Sequence, residues 1–117
     1  MYKAKFISPM IPSNDMKKTA GFFKDILSFD SVMDTESYSI CMKDNLTIHI
    51  LPAGENIGEM AFYLEVDDVE GLWTAIKEKV KDIKHREPFD REYGMREIHI
   101  EIPCTNTLLF IGQVIND

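Results

Sequence analysis

The sequence predicts an α+β fold: two βαβββ modules forming a curved mixed sheet, with the helices on the outer face. Three observations predict it. The chain holds two amphipathic helical segments, one opening near Asp15 and one near Asp68. Each is preceded by one strand-like run and followed by three. A shift of 53 residues, from Asp15 to Asp68, lays Met16 on Val69, Ala20 on Trp73, Phe23 on Ile76 and Leu27 on Val80, so every apolar helix position stays apolar. Identity between the halves is nearly nil, so what repeats is a pattern rather than a set of residues.

The elements follow in order. Phe6 to Ile11 reads as the first strand. Asn14 and Asp15 can cap the first helix, since a short polar side chain there accepts from the free amides of the first turn. Met16, Ala20, Phe23 and Leu27 then share one face at spacings of four, three and four. Three strands are expected near 30–34, 37–42 and 46–51. The turn-rich run from Leu51 to Gly58 reads as a linker. Module one therefore covers about 1–53 and module two about 58–117, together one domain. In module two, Met60 to Val66 is the first strand. The helix from Asp67-Asp68 carries Val69, Leu72, Trp73, Ile76 and Val80 on one face, with cations from Lys77 to Lys81 at its end. The remaining strands are near 83–88, 95–102 and 107–113. In the first of the last two, Glu97, His99 and Glu101 alternate with Ile98, Ile100 and Ile102. Each helix covers one face of its sheet, which leaves the other face free to line a cleft.

The bulk properties narrow the function. The 117 residues carry a net charge of −7, which disfavours nucleic acid or an anionic membrane as partner. Neither Cys41 nor Cys104 belongs to a Cys-x-x-Cys pair, and Met1-Tyr2-Lys3-Ala4-Lys5 does not read as a signal peptide. The expected location is the cytoplasm. No phosphate loop and no Ser-His-Asp set can be assembled.

Three segments resemble the vicinal oxygen chelate superfamily, which contains glyoxalase I, extradiol dioxygenases and the fosfomycin- and bleomycin-resistance proteins. Pro9 to Asp15 followed by Ala20 to Phe29 resembles its opening strand and first helix. Phe62 to Val69 resembles the start of its second module. Tyr93 to Ile100 with Asn106 to Gln113 resembles the closing hairpin of the bleomycin-resistance branch. The resemblance implies paired βαβββ modules, usually a homodimer, and, in the enzymes, a divalent metal on the inner sheet face. Carried over by position, the ligand places fall on Ser8, Ala61 and Leu109, none of which offers imidazole or carboxylate. The turn before the last of them, Ile102-Pro103-Cys104-Thr105-Asn106, also departs from the usual Asp-Pro-Asp-Gly-Asn.

The expectation is therefore a metal-free protein without cofactor that binds a small organic ligand, cationic or aromatic, of the kind an antibiotic-sequestering protein holds. Ser8, Tyr63, Tyr93, Glu97, His99 and Leu109 are its expected ligand-binding residues. Tyr63 shares the strand phase of Ala61 and Glu65, and Tyr93 flanks a turn at the rim. Glu97 and Glu101 beside His99 favour a cation. These three are spaced at about 6.5–7 Å along one strand, too spread to close around a small ion alone. The alternatives are an enzyme (a lyase, isomerase or dioxygenase) whose metal is held by His49 or His99 with Glu59, Glu97 or Glu101, and a regulatory subunit that kept only the fold.

Overall fold

A computed structural model describes residues 1–115, so positions 116 and 117 of the expected second module lie outside the described residues. The chain runs β1 (Met10–Ser13), α1 (Met16–Asp25), β2 (Asp30–Asp34), β3 (Ser39–Lys43), β4 (Leu46–Pro52), β5 (Met60–Glu65), α2 (Val69–Ile76), β6 (His85–Asp90), β7 (Met95–Ile102) and β8 (Thr107–Val114). This is βαβββ twice. The strands form two four-stranded mixed sheets of the same topology, β1-β4-β3-β2 and β5-β8-β7-β6. In each, the strand before the helix lies parallel to the last strand of its module, and the other pairs are antiparallel.

The helices start where the sequence places them. Asp15 caps α1 by accepting from the Lys18 amide at 3.2 Å, and Asp68 caps α2 by accepting from the Gly71 amide at 2.9 Å. Two boundaries differ from expectation. The first strand begins at Met10 rather than Phe6, because ladder pairing with β4 starts at Met10 opposite His49. Residues 1–9 belong to no strand, and Tyr2, Phe6 and Ile7 stand largely exposed. The second helix ends at Ile76, although the periodic pattern continues to Val80. The amides of Lys79 and Val80 both turn back to the Ile76 carbonyl, so a turn carries Val80 into the core instead of a further helical turn.

One core joins the halves. Ile11, Phe23, Ile50 and Cys41 of the first module are contiguous with Val69, Ile98, Ile100 and Leu109 of the second. Polar ties reinforce the seam at the start of α1. The Asn14 amide donates to the Cys104 carbonyl at 3.0 Å, and the buried Thr19 hydroxyl donates to the Pro103 carbonyl at 2.8 Å. The turn that receives them is shaped by left-handed Cys104 and Asn106, with the Thr105 hydroxyl donating to the Ile102 carbonyl at 2.8 Å. The modules lie side by side in a body of 46 × 45 × 26 Å, and the sheet face away from each helix stays open. The register shows which side chains stand there: Met10, Ile40 and His49 at the centre of the first sheet, and Tyr63, His99 and Phe110 at the centre of the second.

Candidate functional site

The open face of the second sheet carries the richest chemistry. Alternation along β7 sends Ile98, Ile100 and Ile102 into the core and Glu97, His99 and Glu101 to the other side. Glu97 is nevertheless only 1% exposed, because its neighbours close over it. Arg91 Nη1 donates to Glu97 Oε1 at 3.0 Å, the Tyr93 hydroxyl donates to Oε2 at 2.6 Å, and His99 Nε2 lies 2.8 Å from Oε1. Burial alone would raise the Glu97 pKa. The hydrogen bonds from Tyr93 and His99 and the Arg91 charge outweigh it and hold the carboxyl below its ordinary value. The same bond to Glu97, more than burial, raises the Tyr93 pKa and keeps the phenol protonated.

Aromatic rings surround this carboxylate. His99 stacks on Phe110 with ring centres 4.0 Å apart, and Phe89 meets His99 edge-on at 5.0 Å. The Arg86 guanidinium lies 3.5 Å over the Phe89 ring. Tyr63 leans from β5 across Gly112 towards Glu97. A Cβ built on Gly112 would meet Tyr63 atoms at 2.8 Å and Glu97 Cγ at 3.1 Å, so glycine is what lets the phenol cross β8. Burial, then the charges of Glu65 and Glu97, raise the Tyr63 pKa, so its hydroxyl is a donor at neutral pH. Gly112→Ala is expected to swing Tyr63 away from Glu97. A Tyr63 ring environment unchanged by proton NMR would refute that packing.

Next to Phe110 the same face hollows into a cavity of about 460 Å³. Ala61 and Leu108 lie beneath it, Phe110 forms one wall, and Glu59, Glu101 and Lys84 stand around it. Neither glutamate is in a salt bridge among the described residues. A wider hollow of about 560 Å³ beside the start of α1 has no aromatic wall.

Of the residues singled out from the sequence, Tyr63, Tyr93, Glu97 and His99 come together on this face. Ser8 lies in the other module, its hydroxyl donating to the Thr47 carbonyl at 2.9 Å. Leu109 is fully buried in the core, and the β8 residues presented on the open face are Leu108 and Phe110. Sequence reasoning missed Phe89, Arg91 and Phe110. Strand phase alone could have found Phe110, which lies opposite His99 and Tyr63. Arg91 is outside any strand, and nothing in its neighbours in sequence marks it.

The first module carries a quieter version of the same arrangement. Tyr38, two residues before Ile40, places its hydroxyl 2.5 Å from His49 Nδ1, just as Glu97, two residues before His99, holds that ring. At the ligand places that the resemblance gives, Ser8, Ala61 and Leu109, no side chain suits a divalent metal. The open positions of β1, β4, β5 and β8 offer one imidazole, His49, and one carboxylate, Glu65, on different sheets. Among the described residues no group of three or more His, Cys, Asp or Glu is gathered closely enough to hold an ion.

No family model matches the chain, and no curated protein matches it. Solved structures do. A bleomycin resistance determinant encoded on the transposon Tn5 superposes with a TM-score of 0.79 at 20% identity, covering 95% of this chain and 98% of its own. A bleomycin-binding protein from bleomycin-producing Streptomyces verticillus, complexed with copper(II)-bleomycin, gives 0.74 at 16% identity with all of both chains covered. Lactoylglutathione lyase from Agrobacterium tumefaciens gives 0.75 at 13% identity, covering 95% and 94%. At these identities the likeness establishes the fold and leaves the activity to the site.

Proposed function

On the vicinal oxygen chelate fold, which this chain has, we propose a metal-free protein that binds and sequesters a small aromatic cation on the open face of its second sheet. The observation that carries this reading is the cavity beside Phe110. It combines an aromatic wall, an apolar floor, one lysine and two glutamates that make no salt bridge among the described residues. A flat cation gains stacking and a charge-assisted hydrogen bond there. Glu97, by contrast, already holds three donors and is not the cation's partner. The bleomycin-binding proteins of the same fold support a small organic ligand of antibiotic type.

The active form in this reading is a homodimer. Open faces that expose Met10, Met42 and Tyr63, with free edges on β1 and β5, favour a second copy that turns two shallow faces into one cleft. Under this reading residues 1–53 and 58–117 act as the two lining modules. Sedimentation at micromolar concentration is expected to show a dimer.

Thermal unfolding with bleomycin-type cationic glycopeptides and small aromatic amines tests the ligand class. A binder at saturating concentration is expected to raise the midpoint by several degrees. No rise with any cationic aromatic sinks the proposal, as does stoichiometric zinc, nickel, iron or manganese in protein purified without chelator.

A further inference from the structure

We infer that the ligand of this face is bipolar: a flat ring system with a protonated nitrogen at one end and a hydrogen-bond acceptor, carboxylate or similar, at the other. The inference rests on the reading above and adds the second end. Three same-face positions of β7 divide the surface. Glu101 lies opposite Leu108, His99 opposite Phe110, and Glu97 opposite Gly112. Same-face neighbours along a strand are about 6.5–7 Å apart, so the outer two positions are roughly 13 Å apart.

The two ends differ in their balance of acceptors and donors. At the Glu101 end, Glu101 and Glu59 present carboxylate oxygens without ion-pair partners among the described residues, beside Lys84. At the Glu97 end that carboxylate is buried and saturated, and a second, Glu65, stands opposite Gly112 on the outer strand β5. Three other side chains there donate. The Tyr63 hydroxyl lies over Gly112 and makes no hydrogen bond among the described residues. Arg91 commits one Nη to Glu97 and keeps further N–H groups, its side chain 23% exposed. Arg86 stands over Phe89 with no acidic partner among the described residues. Between the ends lies the His99–Phe110 stack, continuous with Ala61 and Leu108 at the Glu101 end, and these favour a flat apolar body. A ligand with a cation alone leaves the donor end facing water. A second cation at that end would meet two guanidinium groups.

Three para-linked biphenyls test this by calorimetric titration. One carries an aminomethyl group, one a carboxylate, and one carries both at opposite ends. The bipolar compound is expected to bind about tenfold more tightly than the amine alone, the usual gain of a charge-assisted hydrogen bond. Arg86→Met is expected to reduce the advantage of the bipolar compound over the amine, and Glu101→Gln is expected to weaken both amine-bearing compounds. Unfolding midpoints without ligand control for folding of each variant. If the carboxylate adds nothing, or weakens binding, the bipolar inference is overturned and the aromatic-cation reading stands. If none of the three binds, both fall.

Discussion

Glu97→Ala is expected to destabilise the protein by about 3 kcal/mol, the lower end of the cost of breaking a buried charge pair, since Arg91 keeps some contact with water. For a chain of this size that is a fall of roughly 10 °C in the unfolding midpoint. Glu97→Gln keeps the shape, so it separates charge from packing. The pH dependence follows from the direction of the shift. A carboxyl held below its ordinary value contributes stability that is present above the unfolded pKa and is lost as pH falls through the folded one. The wild type is therefore expected to lose stability on acidification below the ordinary value of 4.5, and the glutamine variant to lose less over that interval. Identical acid limbs in urea unfolding of the two would show that the Glu97 charge does not stabilise the fold.

Two adjacent residues are expected to give opposite results. Leu109→Ala removes a fully buried side chain and is expected to cost about 2–5 kcal/mol while leaving ligand affinity nearly unchanged. Phe110→Ala removes the wall of the open cavity and is expected to weaken an aromatic cation at least tenfold at a smaller stability cost. Denaturant unfolding and titration of both variants decide the matter. A Leu109 variant that binds weakly while staying as stable as the wild type would place that side chain on the ligand face after all.

This pair also shows where the sequence was legible. The fold was readable because both helices announce themselves twice, by an Asp cap and by an apolar stripe, and the strands by alternation. Phase within a strand was readable wherever alternation is clean, as in Glu97, His99 and Glu101. It became insecure beyond the Pro103–Asn106 turn, where left-handed Cys104 and Asn106 reset the count and moved the open position from Leu109 to its neighbours. The carboxylate cluster was half readable. Glu97 and His99 are two residues apart, so their closeness is local, and Tyr93 at the rim lies only four residues from Glu97. Arg91 and Phe89 come from the connection before β7 and from a bulged strand, where the pairing slips and no period reports the facing side.

The parallel pairs that close each sheet have a consequence for how the chain assembles in time. The β2-β3-β4 and β6-β7-β8 meanders link near neighbours and can form early, within microseconds to milliseconds. The first strand of each module must instead wait for a partner about 40–50 residues downstream, Met10 for His49 and Met60 for Thr107. That closure pays its loop entropy before any contact rewards it, so it belongs late on the route to the native state. Until then β4 and β8 each offer an unpaired edge to any strand of matching pattern, and the rival nearest in pattern is the same strand on another copy of the chain.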